Sequence, residues 1–355
     1  MVQLQRCAVA LTGVMIAATG FAQVSAADVT VRTASRVTGL TASGTDVLYT
    51  TGSVPSCQQF VLWRTSSGEM VRLPHPAGDC GTNASGCRFG MAIGGGRALW
   101  LCALGTAPVQ WRLYTASFAQ RKPKLIRSIE RRDIADTLQP IIVGRADETD
   151  LPYAVGDRVT SLAPDGKTRY TWVAPALGGR SQRSGRILAL AAGFHHVAVE
   201  VQYENHETLR TFLSVFILSS RGLAVARYSD VSEAGFVQIR YAAPGLLIGF
   251  PSRGRPGLGF VPSKIVVRSR DGTRRFNDRR HGADLALVDF SRGVIAYQTQ
   301  RQIRGIRYSD GKDVVLRTVH YQDIGHASLA SGGLAYARNR SVSWAPWSSL
   351  EERFR

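Results

Sequence analysis

The sequence predicts an all-β chain folded as a seven-bladed β-propeller of four-stranded antiparallel blades. Three observations lead to this fold class. Short apolar segments alternate with tight turns along the chain. The pattern repeats about every 48 residues, within the range of propeller blades. The 36 glycines supply residues for turns that need positive φ, and long helical stretches rich in Leu, Ala, Glu and Lys are missing.

The first unit shows the repeat most clearly. Residues 37–42 form an apolar segment that ends in a Ser-Gly-Thr turn, and residues 46–50 form a second segment. A third segment at 60–63 closes in a Ser-Ser-Gly turn and returns as a fourth at 70–73. The first turn recurs at Gly44, Gly96, Asp147-Glu148-Thr149, Gly193, Gly245, Gly293 and Gly333, and the second at Asp165-Gly166, Arg221-Gly222, Asp271-Gly272 and Asp310-Gly311.

Seven such units predict one propeller domain over residues 27–355. The blades are expected to start near residues 37, 88, 139, 186, 236, 285 and 327. The alternative fold is a set of tandem β-sandwiches, but the repeat is too short for a sandwich of about 100 residues. The last unit stops after its third segment, and the alternating segment 28–33 precedes the first unit. We therefore expect this N-terminal strand to complete the last blade, since pairing the termini would close the ring.

Residues 1–26 have the features of a secretory signal peptide. Arg6 precedes an uncharged, mostly apolar run from Ala8 to Ala22, and Val24-Ser25-Ala26 resembles a cleavage site. The run is shorter than the roughly 20 residues that span a bilayer. We expect a secreted, periplasmic or cell-envelope protein with no transmembrane helix after signal removal. An uncleaved anchor is the alternative.

Four cysteines remain after the signal, clustered in the first part of the chain. An even number in an exported chain predicts two disulfides. Reflecting Cys102 through the hairpin centred near residue 95 places it beside Cys87. Reflecting Cys57 through the turn of the next-outer hairpin places it near Cys80. These positions favour the pairs Cys57–Cys80 and Cys87–Cys102. Cys57–Cys102 with Cys80–Cys87 is the alternative pairing. A zinc site is the competing interpretation, although no Cys-x-x-Cys spacing occurs.

The formal net charge of +18 favours anionic partners through long-range attraction. Several arginines fall in loops that the repeat places on one face of the ring. They predict a basic rim that captures an anionic ligand through bidentate contacts. Ordinary solvated loop charge is the alternative. The arginines of this rim are Arg131, Arg132, Arg180, Arg183, Arg186, Arg253, Arg255, Arg279 and Arg280.

No motif assigns catalysis, a metal or a cofactor. The chain contains no Gly-x-Ser-x-Gly elbow, P-loop, dinucleotide fingerprint or His-Glu-x-x-His sequence, and no specific nucleic-acid motif. His195-His196 is expected to open a strand, with one ring packed inward and the other outward. Asp289 is the acidic residue placed in a channel-lining strand, where a carboxylate is catalytic, contacts a ligand or is solvated.

The repeats resemble those of secreted bacterial propellers of the TolB-like and WD-repeat-like superfamily, over about residues 28–347. The resemblance rests on the Ser-Gly, Asp-Gly and Gly-aromatic landmarks, and the Trp-Asp dipeptides of true WD repeats are absent. It implies a fold and a broad expectation of ligand or protein binding, without a substrate. We therefore expect an exported, non-catalytic binding or scaffold protein for an anionic envelope ligand or a protein partner. The alternatives are a propeller enzyme (lyase, hydrolase or oxidoreductase) with its site at the channel mouth, and envelope adhesion through charge alone.

Overall fold

The computed structural model contains seven antiparallel sheets arranged in a ring. This arrangement confirms the predicted fold class and excludes tandem sandwiches. Within the described part of the chain, no helix is long and apolar enough to cross a membrane. The structure describes residues 27–52, 58–74, 84–87, 90–105, 108–131, 139–176, 185–204, 211–229, 236–242, 245–255, 259–262, 264–277, 286–320 and 326–355.

The first four blades each run from an innermost strand at the axis to an outer strand at the rim. Strand β1 (Val29–Arg32) precedes them and belongs to the last blade. Blade 1 contains β2 (Val37–Ser43), β3 (Asp46–Thr51), β4 (Gln59–Arg64) and β5 (Glu69–Leu73); blade 2 contains β6 (Ala84–Gly86), β7 (Met91–Gly94), β8 (Arg97–Leu104), β9 (Val109–Ser117) and β10 (Lys124–Arg131); blade 3 contains β11 (Ile141–Val143), β12 (Leu151–Val155), β13 (Arg158–Leu162) and β14 (Thr168–Val173); blade 4 contains β15 (Arg186–Gly193), β16 (His196–Glu204), β17 (Thr211–Leu218) and β18 (Ala224–Ser229).

The last three blades repeat this order, and a short C-terminal helix follows them. Blades 2 and 5 each carry one additional short strand, β6 and β21, paired to the second strand of the blade. Blade 5 contains β19 (Phe236–Ala242), β20 (Leu246–Arg255), β21 (Gly259–Pro262), β22 (Lys264–Ser269) and β23 (Gly272–Asn277); blade 6 contains β24 (Ala286–Ser291), β25 (Val294–Gln298), β26 (Gln302–Arg307) and β27 (Asp313–Thr318); blade 7 contains β28 (Ala327–Ala330), β29 (Gly333–Ala337) and β30 (Ser341–Pro346), followed by α1 (Trp347–Glu351) and a 3₁₀ turn (Glu352–Phe354).

The N-terminal strand closes the ring as predicted. Strand β1 pairs antiparallel with β30, from Val29 opposite Trp344 to Arg32 opposite Ser341, and becomes the outer strand of blade 7. The carboxylate of Asp28, just before β1, accepts hydrogen bonds from Arg317 at 2.6 and 2.8 Å. The two ends of the chain are thus joined by backbone pairing and by side chains.

The hydrophobic core is divided into layers between adjacent blades. Within β3, Leu48 packs with residues of blade 2, whereas Val47 and Tyr49 pack with residues of blade 7. Successive strand residues point to opposite faces, so each sheet contributes to two layers. One buried cluster lies at each of the seven blade junctions, which explains why a sheet that could not bury both faces alone is stable in the ring.

Glycines at the ends of innermost strands let neighbouring blades approach closely. A Cβ atom on Gly94 would lie 2.0 Å from the carbonyl oxygen of Asp147 in blade 3. A Cβ on Gly193 would lie 1.9 Å from the carbonyl oxygen of Tyr241 in blade 5. Close approach explains the glycine at Gly193, whereas Gly245 and Gly293 at the same turn have positive φ, at 86° and 76°, and open space around them.

Candidate functional site

Two faces of the ring define the ends of the central channel. We call the side that carries the hairpin turns between first and second strands the turn face. The opposite side carries the connections that lead into the innermost strands, and we call it the loop face. Innermost strands line the channel as expected, and a buried ionic cluster, the plug, crosses it between the two faces.

The plug consists of Arg145, Arg240 and Asp289. Asp289 lies on β24 of blade 6 and is 8% exposed, which confirms its predicted place in a channel strand. Its carboxylate forms an ion pair with Arg145 and lies 3.3 Å from Nε of Arg240 on β19. Three blades therefore meet at this carboxylate, because Arg145 comes from the segment between β11 and β12 of blade 3.

Arg145 is fixed first by its backbone. Its N–H donates to the carbonyl oxygen of Leu190 at 3.2 Å, and its carbonyl accepts from the N–H of Ala192 at 2.6 Å. This parallel bridge to the innermost strand of blade 4 directs the side chain across the axis. There the guanidinium donates to the hydroxyls of Thr41 in blade 1 and Ser328 in blade 7.

Arg240 completes the plug with bonds to backbone oxygens. It donates to the carbonyl oxygens of Ile239 at 2.7 Å and Val288 at 3.2 Å. Burial lowers the pKa of Arg240 to about 10, with Asp289 opposing this shift and Arg145 adding to it. Arg240 therefore remains cationic at neutral pH, and the plug sets two guanidinium groups against one carboxylate.

The plug separates two chambers. The loop-face chamber has a volume of about 290 Å³ and the turn-face chamber about 260 Å³. Arg145 lines both, since its side chain lies between them. Among its described lining residues, the loop-face chamber contains no Asp, Glu, His or Tyr; its polar side chains are Thr41, Gln238, Gln298 and the two plug arginines.

The predicted basic rim is described only in part. Arg131 ends β10 and is exposed, and Arg186 begins β15 and is half-buried. Burial lowers the pKa of Arg186, the carboxylate of Glu204 opposes this shift, and Arg131 lowers it further. The structure thus brings together two arginines that are 55 residues apart in the sequence. Arg253 and Arg255 lie on β20, and Arg132, Arg180, Arg183, Arg279 and Arg280 lie outside the described residues.

One of the two favoured disulfides is confirmed. Cys87 and Cys102 are bonded, linking the start of blade 2 to β8. This bond excludes the alternative pairing, in which both residues had other partners, and removes both thiols as zinc ligands. Cys57 and Cys80 lie outside the described residues.

The prediction for the histidine pair is confirmed in part: His196 opens a strand, but His195 does not belong to it. β16 begins at His196, and His195 lies in the preceding turn at a φ of 60°. His195 is exposed, whereas His196 is half-buried and its ring packs against that of Tyr241, with centroids 5.5 Å apart. The turn that follows Gly193 has two residues in the left-handed region, Phe194 and His195.

Glu200, the described carboxyl whose pKa is raised most, lies away from both chambers. It is fully buried on β16, and Oε1 accepts a hydrogen bond from the N–H of Phe236 at 2.7 Å. Burial raises its pKa to about 7, and the bond from Phe236 opposes this shift. Glu200 thus ties blade 4 to blade 5.

Sequence reasoning missed the two plug arginines and Glu200, although each left a signal. All three are charged residues within apolar or innermost segments of the repeat, where burial requires a partner.

Comparison with known proteins shows the fold but no family. No family model matches the chain, and no curated protein matches it. The β-propeller domain of the Trilobed protease from Pyrococcus furiosus aligns with 87% of this chain and 95% of that one, at a TM-score of 0.51 and 10% identity. Sqt1 from Saccharomyces cerevisiae aligns with 90% of this chain and 96% of that one, at a TM-score of 0.42 and 11% identity. The acylaminoacyl peptidase from Pyrococcus horikoshii aligns with 87% of this chain and 51% of that one, at a TM-score of 0.48 and 10% identity.

The Pyrococcus furiosus domain is described as having an open velcro topology. In the present chain β1 pairs with β30, so the ring is closed by the N-terminal strand. At 10% identity, this likeness concerns the fold alone.

Proposed function

We propose that this chain is an exported, non-catalytic binding propeller that takes an anionic ligand at the loop-face mouth of its channel. The observation that carries the proposal is the charge of the plug. Two guanidinium groups share the single carboxylate of Asp289, and the pKa of Arg240 stays near 10 despite burial. One net positive charge is therefore held at the axis, where the low dielectric strengthens its attraction for an anion.

The loop-face chamber is where that charge meets a ligand. Its described lining is mainly aliphatic, with Gln238 and Gln298 as neutral polar groups, and it has no carboxylate. An anion entering it meets Arg145 and Arg240, whereas Asp289, the carboxylate that they share, does not line the chamber. Arg131 and Arg186 extend the positive surface on the same face, and their mutual repulsion favours an anion between them.

Binding fits this channel better than catalysis. A hydrolase or lyase needs a group that accepts or donates a proton near the substrate. The carboxyl at the plug, Asp289, has both oxygens facing guanidinium groups. Carboxylates held by two arginines serve as structural counter-ions rather than as free bases.

Export is part of the same proposal. It is supported by the signal-like residues 1–26 and by the Cys87–Cys102 bond, because disulfides persist mainly in oxidising compartments. Membership of the TolB-like and WD-repeat-like superfamily belongs to this proposal as well, on the turn landmarks of the repeat.

The test is a binding measurement with two anionic probes, soluble polyphosphate and phosphatidylglycerol vesicles. We expect at least one probe to bind, with an affinity that falls steeply between about 50 and 200 mM salt. The double variant Arg131→Ala/Arg186→Ala should weaken binding about tenfold, since each guanidinium lost removes a charged contact. Comparison of the two probes tells a soluble polyanion from a lipid headgroup.

The matched control is Arg221→Ala/Arg270→Ala. Both residues are exposed in turns on the turn face, so this variant loses the same charge from the opposite side. It should keep the affinity of the unmodified protein. Equal weakening in both double variants would mean adhesion through bulk charge, and binding that is flat with salt would contradict the proposal outright.

A further inference from the structure

The turn-face chamber is walled by aromatic side chains. Phe194, Tyr241 and Phe290 line this cavity of about 260 Å³, at the mouth opposite to the loop-face chamber. Phe194 is 50% exposed, although burying a phenyl ring is energetically favourable. These three residues come from blades 4, 5 and 6, and those of blades 5 and 6 also pack into the core layers on either side of blade 5.

The charge of this chamber is opposite to that of its neighbour across the plug. Asp147 and Glu148 line it together with Asp289, against the guanidinium of Arg145 and the imidazole of His195. Arg145 is already paired with Asp289. Neither Asp147 nor Glu148 forms an ion pair with a described residue. The chamber therefore carries uncompensated negative charge in a chain whose formal net charge is +18.

Both carboxylates are held in place by neutral groups. Oδ1 of Asp147 accepts from the backbone N–H groups of Thr149 and Asp150, each at 2.7 Å. Oε1 of Glu148 accepts from the hydroxyl of Ser331 in blade 7 at 2.6 Å. These bonds orient the carboxylates without neutralising them, so they remain available to a cation.

The aromatic wall is also preorganised. Phe194 and His195 lie in the left-handed region, at φ values of 51° and 60°. The N–H of His195 donates to Oδ2 of Asp147 at 3.3 Å, which joins the turn of blade 4 to the acidic segment of blade 3. The ring of Phe194 and the carboxylate of Asp147 are thus fixed relative to each other before a ligand arrives, which reduces the entropy lost on binding.

We propose that the turn-face chamber binds a small organic cation that carries an ammonium group on an apolar body. Aromatic faces attract such a cation through their quadrupoles, and the two carboxylates add direct attraction. The cavity, at about 260 Å³, has room for one ring that carries an ammonium or trimethylammonium group. This site is distinct from the anion site, because it lies beyond the plug and the two chambers share only Arg145.

The test is isothermal titration calorimetry of the purified protein with four probes that share one ring. Benzylamine and benzyltrimethylammonium are the cations, benzyl alcohol is neutral, and benzoate is the anion. We expect both cations to bind at least tenfold more tightly than the other two. Cations that bind no more tightly than benzyl alcohol would overturn the proposal without any variant.

Two variants then locate the site. Phe194→Ala and Glu148→Gln should each weaken cation binding about fivefold, since one removes a ring and the other a charge. Their matched controls are Phe212→Ala, an exposed ring on β17, and Glu130→Gln, an exposed carboxylate on β10. Controls that weaken binding as much as the site variants would show that the cation binds elsewhere and refute the proposal.

Discussion

Replacing Glu200 with Gln should stabilise this protein at alkaline pH and have little effect at acid pH. Glu200 is fully buried between blades 4 and 5. Oε1 accepts the N–H of Phe236 at 2.7 Å, whereas Oε2 has no hydrogen-bond partner in the described structure. Ionisation would leave a charge without a counter-ion in this layer, and for that reason the pKa of Glu200 rises to about 7.

The magnitude follows from that shift. The ordinary value is 4.5, so the folded state keeps a proton that the unfolded chain loses between pH 4.5 and about 7. Stability therefore falls as pH rises through this window, and above it the penalty is complete. The difference of about 2.5 pH units corresponds to about 3 kcal/mol. At pH 5 the penalty is below about 1 kcal/mol.

Blade 6 has a glutamine, Gln298, at the position that corresponds to Glu200 in blade 4. Gln298 of blade 6 stands four residues after Val294, which pairs with Ser291 across the first turn. Glu200 stands four residues after His196, which pairs with Gly193. Gln298 is also fully buried. Glu200→Gln thus keeps an oxygen for the N–H of Phe236 and removes only the charge.

The assay is guanidinium unfolding followed by tryptophan fluorescence, at pH 5 and pH 8. We expect the variant to exceed the parent by about 3 kcal/mol at pH 8 and by much less at pH 5. Glu130→Gln, on the exposed strand β10, is the control for loss of one surface charge and should show no such pH dependence. An equal difference at both pH values would refute the argument that Glu200 is ionised at a cost.

Two further predictions concern the covalent and ionic ties. Burial alone would raise the pKa of Asp28, but hydrogen bonds from Arg317 and Tyr336 lower it below the ordinary value of 3.8. The ionised carboxylate therefore stabilises the fold above pH 3.8, and this stabilisation is lost as the pH falls through the lowered pKa. Asp28→Asn should cost about 1–3 kcal/mol and speed hydrogen exchange of the β1 amides; unchanged exchange would contradict a role in closure. The double variant Cys87→Ala/Cys102→Ala opens a loop with a sequence separation of 15 and should lower the unfolding free energy by about 3 kcal/mol; an unchanged guanidinium midpoint would contradict this.

Repetition made most of the fold predictable. Turn residues and alternating segments are local signals, and their recurrence fixed the number of blades and the role of the strand at 29–32. The first turn of blade 4 was located by Gly193, but His195 was assigned to the following strand rather than to the turn. Phe194 and His195 both adopt positive φ there, and residues other than glycine seldom do so, so the sequence did not indicate how far the turn extends.

The candidate site was predictable only in part, for a geometric reason. Asp289 was placed in the channel because the repeat locates innermost strands. Arg145 is 144 positions away in the sequence, and it reaches Asp289 because its backbone leaves blade 3 to pair with blade 4. No periodicity predicts that departure. Arg240 was within reach, since a charged residue on an innermost strand requires a partner at the axis.

The position of the plug makes one channel into two sites of opposite sign. Arg240 lines the loop-face chamber and Asp289 lines the turn-face chamber, so the charges of the plug are displaced along the axis. Asp147 and Glu148 then add negative charge at the turn face only. Arg131, at the end of β10, and Arg186, at the start of β15, add positive charge at the loop face. Each proposed site therefore depends on its own pair of charged side chains, and changing one pair should leave binding at the other face intact.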